Sequence, residues 1–137
     1  MAEPVRAQIH IEADPERVFA HFVQPEAMVR WMGDFAQLEA TPGGTFAVDV
    51  RGTAVRGHYV ELDPPHRLLI AWGYAGAPGT SLVEVRLTAV AGGTSVELEH
   101  RDLPPAQTDG HIRGWGHYLR RLASAAAGVE AGPDPGM

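Results

Sequence analysis

The 137-residue chain contains no cysteine, which excludes a disulfide framework and thiolate chemistry. It also lacks long apolar runs: nothing approaches the ~20 consecutive apolar residues that a membrane-spanning helix needs. The opening "MAEPVRAQIH" has no apolar core of the kind found in a signal peptide, so a soluble cytoplasmic protein is expected. Positive charge is scarce. With 11 Lys and Arg against 17 Asp and Glu, the net charge of −6 argues against a nucleic-acid partner or an anionic membrane surface.

Chemical signatures are missing as well. None of Ser81, Ser95 and Ser124 lies in a G-x-S-x-G context. The glycines of "GGTFAV" open a strand, not a helix, so a phosphate-binding helix N-terminus is absent. No HxH or HxxxH pair falls on an inward face, and His111 and His117 point to different sides of their helix. No metal and no cofactor are therefore expected.

What is present has the balance of one globular domain, with 45% hydrophobic and 20% charged residues. "VRAQIHIEA", residues 5–13, alternates strictly and predicts a half-buried strand. Asp14 and Pro15 supply a helix cap and a first-turn proline, and Val18, Phe19 and Phe22 recur at helical spacing. Pro25 starts a second short helix, which carries Met28, Trp31 and Met32 and stops at Gly33. Six strands follow, separated by Pro/Gly turns; in the last hairpin Val83, Val85 and Leu87 match Val96, Leu98 and His100.

The C-terminal helix is predicted over about Gln107 to Ala127. In "HIRGWGHYLRRLASAAAG" the side chains of His111, Trp115, Tyr118, Leu119, Leu122 and Ala126 share a face that should pack lengthwise on the sheet. Arg113, Arg120 and Arg121 take the opposite side and read as a solvated basic stripe. Each interior glycine weakens a helix by roughly 1 kcal/mol against alanine. Gly114 is read as a loosened gate and Gly116 as a place of close packing. One domain over 1–128 and a disordered Gly/Pro-rich tail over 129–137 complete the expectation.

The order of elements resembles the helix-grip fold of the START-like (SRPBCC, Bet v-like) superfamily. There a curved antiparallel sheet of six to seven strands wraps a long C-terminal helix, with two short helices after the first strand. "IEADPERVFAHFVQPEAMVRWM", "ELDPPHRLLIAW", "GGTSVELEHRDLP" and "GWGHYLRRL" are similar to motifs of one branch, that of the activator of the heat-shock-protein-90 ATPase. The match covers roughly residues 5–127 and implies an α+β domain with a cavity between sheet and helix. The additional N-terminal domain of the eukaryotic co-chaperone has no counterpart in these residues.

Strand alternation turns Phe46 and Val48, Trp72 and Tyr74, and His100 toward the helix. In "VRGHYVELD" His58 is placed inward, opposite Tyr59, unless a bulge near Gly57 exchanges the two sets. His58, Tyr74, His100, His111 and Tyr118 are thus the candidate interior polar groups, and Trp31, Trp72 and Trp115 can stack on a flat ligand. Taken singly, each His or Tyr fits a core residue with a satisfied hydrogen bond. As a group they fit a small-molecule site. Asp49, Arg51, Glu84, Arg86, Glu97 and Glu99 alternate outward and read as a solvated sheet face.

Three functions compete. The first is a non-enzymatic protein that binds an apolar, aromatic small molecule. The second is an enzyme using the same cavity, hydrolytic or resembling polyketide cyclases and aromatases, with His58 or His100 and Tyr74 as acid and base. The third is a protein-interaction module akin to the chaperone activator. A homodimer is left open, and no catalytic residue is assigned.

Overall fold

The computed structural model describes residues 3–77 and 79–135. Strand β1 (Val5–Ile11) alternates as its sequence requires. The Asp14 carboxylate then accepts the Arg17 backbone N–H at 2.9 Å and caps helix α1 (Pro15–Val23). A single turn, α2 (Pro25–Met28), brings Trp31 and Met32 into the core behind it. The strands β2 (Phe35–Leu38), β3 (Thr45–Val50), β4 (Thr53–Asp63), β5 (Arg67–Trp72), β6 (Ser81–Val90) and β7 (Gly93–Arg101) follow. A 3-10 turn at Pro105–Gln107 leads into α3 (Thr108–Ala126).

The seven strands form one antiparallel sheet in the order β1-β7-β6-β5-β4-β3-β2. Only β1 leaves chain order, pairing with β7 from Val5↔His100 to Ile11↔Thr94. The last hairpin has the expected register, Val83↔His100, Val85↔Leu98 and Leu87↔Val96. Helix α3 covers the inner face through Trp115, Leu119 and Leu122, all buried. This is the α+β helix-grip arrangement.

The placement of His58 differs from the sequence expectation. Val55 and Tyr59 are buried on the inner face, so His58 between them in the pleat points outward and is exposed. The register against β5 shifts between Tyr59 and Glu61, which returns Leu62 to the inner face opposite Leu68. A methyl group at Gly57 would drive into the Ala71 carbonyl, so this glycine permits the close approach of β4 and β5 just before the bulge. The Tyr59 hydroxyl donates to the Phe22 carbonyl at 2.7 Å and ties the sheet to α1.

One other expectation is corrected. Arg121 is buried, not solvated. Its guanidinium donates to the carbonyls of Trp31 at 2.9 Å and Gly132 at 2.8 Å, which chain outside the helix supplies. Composition predicts a disordered tail over 129–137; here residues 129–135 run back along α3, and residues 136–137 lie outside the described part. Asp134 is buried, and its carboxylate accepts from the Gly33 backbone N–H at 2.8 Å and the Tyr118 hydroxyl at 2.9 Å. Gly33, with φ of +76°, adopts the backbone that presents this N–H.

The outer face is not uniformly solvated either. Glu84 is buried among arginines and accepts from Arg67 at 2.6 Å, Arg101 at 2.8 Å and Arg86 at 3.1 Å. Burial alone raises its pKa, but the hydrogen bonds from Arg67 and Arg101 win and hold it at about 2, against an ordinary 4.5. A depressed pKa stabilises the fold fully above the unfolded value and loses that contribution as pH falls toward the folded one. Glu84→Gln should therefore cost roughly 1 to 3 kcal/mol near neutral pH, limited by the partial exposure of the arginines. It should cost progressively less between about pH 4.5 and 2. Urea titrations across that range check both the loss and its disappearance.

Candidate functional site

Between the first turns of α3 and the inner face of β3 to β5 lies an open cleft of about 480 Å³. The sheet contributes Val50, Thr53, Val55 and Trp72, with Tyr74 just beyond β5. The helix side contributes Gln107, Asp109, His111, Arg113, Gly114, Trp115 and Tyr118, and Met32 closes the inner end. The rings of Trp72 and Trp115 meet in the wall at 5.3 Å between centroids. A volume of this size, with a mainly apolar wall and a few polar groups, has the form of a small-molecule site.

Behind that wall His100 is buried and fully engaged. The Trp115 indole N–H can only donate, so its 3.0 Å bond makes His100 Nδ1 an acceptor and leaves the ring proton on Nε2. Nε2–H then donates to Ser81 Oγ at 2.6 Å, and Ser81 donates to the Trp72 carbonyl at 3.2 Å. Burial, reinforced by the neighbouring His111, pushes the His100 pKa down to about 3 and keeps the ring neutral. The spacing of Ser81 and His100 is that of a nucleophile and its base, but this tautomer cannot take the serine proton. The chain instead fastens α3 to β5, β6 and β7.

His111 faces the cleft. Its Nδ1–H donates to the Gln107 carbonyl at 2.8 Å, so neutral His111 offers Nε2 to the Tyr74 hydroxyl at 2.7 Å. Burial raises the Tyr74 pKa, while the Trp72 indole N–H acts in the opposite sense. That N–H is buried and makes no hydrogen bond of good geometry among the described residues. A polar corner made of Trp72, Tyr74 and His111 therefore ends an apolar cleft.

The family model described as Activator of Hsp90 ATPase homolog 1-like protein matches residues 12–127. The chain belongs to this family. An AHSA1-like protein of Rhizobium etli, solved by NMR, is 45% identical over 96% of this chain and 86% of its own, with a TM-score of 0.76. CalU16 from Micromonospora echinospora is 29% identical, covering 90% of this chain and 74% of its own at a TM-score of 0.71. DynU16, from the dynemicin biosynthetic locus, superposes with a TM-score of 0.83 over 98% of this chain at 23% identity, a likeness of fold alone. The present chain spans about half of DynU16, 49% of its length. No curated protein matches.

In this AHSA1-like protein the cleft brings together five of the residues singled out from sequence: Trp72, Tyr74, His111, Trp115 and Tyr118. Trp31 does not reach it; its N–H donates to the His21 carbonyl at 2.9 Å and its ring packs edge-on against Phe22. Phe46 and Val48 are buried core residues outside the cleft wall, and the Phe46 ring packs against Tyr59 and Trp72. His58 is on the outer face. Val50, Thr53 and Val55 escape sequence reasoning because a strand pattern assigns a face but not the end of the sheet where the helix stands away.

The two helix glycines also separate. Gly114 lines the cleft. Close packing does not explain Gly116, where an added methyl would meet only the Arg120 guanidinium, at an ordinary 3.6 Å. Gly116→Ala should accordingly raise stability by about 0.4 to 1 kcal/mol, read as a higher denaturation midpoint.

Proposed function

We propose that the cleft binds a planar apolar small molecule with an oxygen-bearing edge, as a binding protein whose biological role its ligand would define. The observation that carries this reading is the pairing of the Trp72 and Trp115 wall with the Tyr74–His111 corner at the end of an open cleft. Indole rings supply a large apolar area for a flat partner. The Tyr74 hydroxyl can turn its proton from His111 to a ligand oxygen, and the nearby Trp72 N–H can then hold the phenol oxygen. Family membership supports the fold that creates the cleft and leaves the activity open.

Titration with the neutral fluorophore N-phenylnaphthylamine tests the reading, with a bulky Val50→Trp variant that fills the cleft. Saturable binding to the parent protein and its loss in the filled variant are expected. Equal binding to both would defeat the proposal. For a ligand carrying a hydroxyl or carbonyl, Tyr74→Phe should weaken binding by about tenfold, the equivalent of one hydrogen bond of about 1.4 kcal/mol.

The same corner favours one second reading, acid–base catalysis in which Tyr74 donates its proton to the ligand and recovers one through His111, whose Nε2 lone pair first takes up a proton from water in the open cleft. Turnover of a bound ligand that Tyr74→Phe abolishes even at saturating ligand would select it over simple binding. This reading leaves out His100, offered from sequence as an alternative acid or base, because its ring nitrogens are both engaged.

A further inference from the structure

We infer that the ligand of this cleft is an organic anion, its charge held at the cleft mouth between Arg51 and Arg113; this rests on the reading of the cleft as a small-molecule site. Arg113 lines the cleft from the helix side and is exposed. Arg51 lies on the sheet side, at the tip of the β3–β4 hairpin. The flanking Val50 and Thr53 pair with one another and both line the cleft, which fixes the tip at its rim.

The backbone at Arg51 is unusual. Arg51 and Gly52 have φ of +51° and +87°, the left-handed pair of a two-residue hairpin turn. The first of these positions favours Gly, Asn or Asp, and an arginine there costs stability relative to them. Such a residue, kept at the rim of a cleft, is a candidate for a role outside folding. Its charge also reaches the cleft, since it acts on the Tyr118 phenol in the direction of a lower pKa.

Charge pairing separates these two arginines from those of the outer sheet face. Arg6, Arg56, Arg67, Arg86 and Arg101 each have a carboxylate within 4 Å. Among the described residues Arg51 and Arg113 form no ion pair. The acid of the cleft wall, Asp109, is exposed and forms none either. Asp134, behind Tyr118, is already engaged by the Gly33 N–H and the Tyr118 hydroxyl. Two unpaired guanidinium groups therefore outweigh one unpaired carboxylate at the mouth, and an apolar acid can lay its ring on the tryptophans with its charge between the arginines.

The test compares two probes of nearly the same shape, anilinonaphthalene sulfonate and neutral N-phenylnaphthylamine, each corrected for binding to the Val50→Trp variant. The parent protein should bind the sulfonate at least about tenfold tighter. That preference should shrink as salt rises toward about 0.5 M and screens the charges. Arg51→Gln with Arg113→Gln should abolish the preference, weakening the sulfonate by at least about tenfold more than the neutral probe, and Arg51→Gly should weaken sulfonate binding while raising the melting temperature. Equal affinity for the two probes, or an unchanged preference in the double variant, overturns the anion proposal with the cleft reading intact. Failure of both probes to bind in the cleft overturns the two together.

Discussion

Trp115→Ala is expected to destabilise the protein by about 3 to 5 kcal/mol, the range for removing an enclosed aromatic ring. The side chain is only 5% exposed although it borders the cleft, so most of its surface rests on protein. Its loss would remove the contacts with Trp72 and His100 and leave His100 Nδ1 without a donor inside the core. The two effects can be separated. Trp115→Phe keeps much of the ring area and loses the N–H, so it should retain part of the stability and cost roughly 1 to 3 kcal/mol. Equilibrium denaturation of both variants checks this order; a loss well under 1 kcal/mol for alanine would mean that the cleft tolerates an open wall at that point.

Trp115 also shows why the helix was readable from sequence. The stripe of Trp115, Tyr118, Leu119 and Leu122 needs only the helical period, and the observed helix ends at Ala126, one residue from the expected Ala127. Strand alternation worked equally well on β5, where Trp72 is buried on the inner face as expected, in line with Leu68 and Ile70. On β4 it leaves the face of His58 open, because one extra residue, between Tyr59 and Glu61, changes face parity within a single strand. Val55 and Tyr59, either side of Gly57, already carried the correct face in their apolar character. Extending the parity of Val60 and Leu62 backward through the bulge is what turns His58 inward.

The site was less legible than the fold. Periodicity turns both His100 and His111 inward, yet the Trp115 donor makes one a structural pin, and the Gln107 carbonyl orients the other toward Tyr74. Those roles depend on which nitrogen carries a proton, which periodicity does not encode. Arg121 failed for a related reason. Helical angle puts it opposite the apolar stripe, but a long side chain can reach sideways to carbonyls supplied by distant chain. The Trp31 carbonyl belongs to the turn after α2, and those of Ala131 and Gly132 belong to the tail.

Ending the chain at Gly128 should reveal how much that tail contributes. Truncation removes the Asp134 carboxylate from the Gly33 N–H and Tyr118 hydroxyl and two carbonyls from the Arg121 guanidinium. Water can reach some of these groups once the tail is gone, which keeps the expected cost to about 2 to 4 kcal/mol instead of the sum of the individual bonds. Asp134→Ala and Tyr118→Phe should each cost about 1 to 2 kcal/mol, and the double variant less than their sum, because they share one interaction. The effect should extend to ligand binding. Met32, next to Gly33, and Tyr118 both line the cleft, so the tail holds one of its walls from behind. Truncation is therefore expected to weaken N-phenylnaphthylamine binding as well as lower the melting temperature. An unchanged melting temperature would mean that Arg121 and Tyr118 find equivalent partners in water and that the tail does not hold the wall.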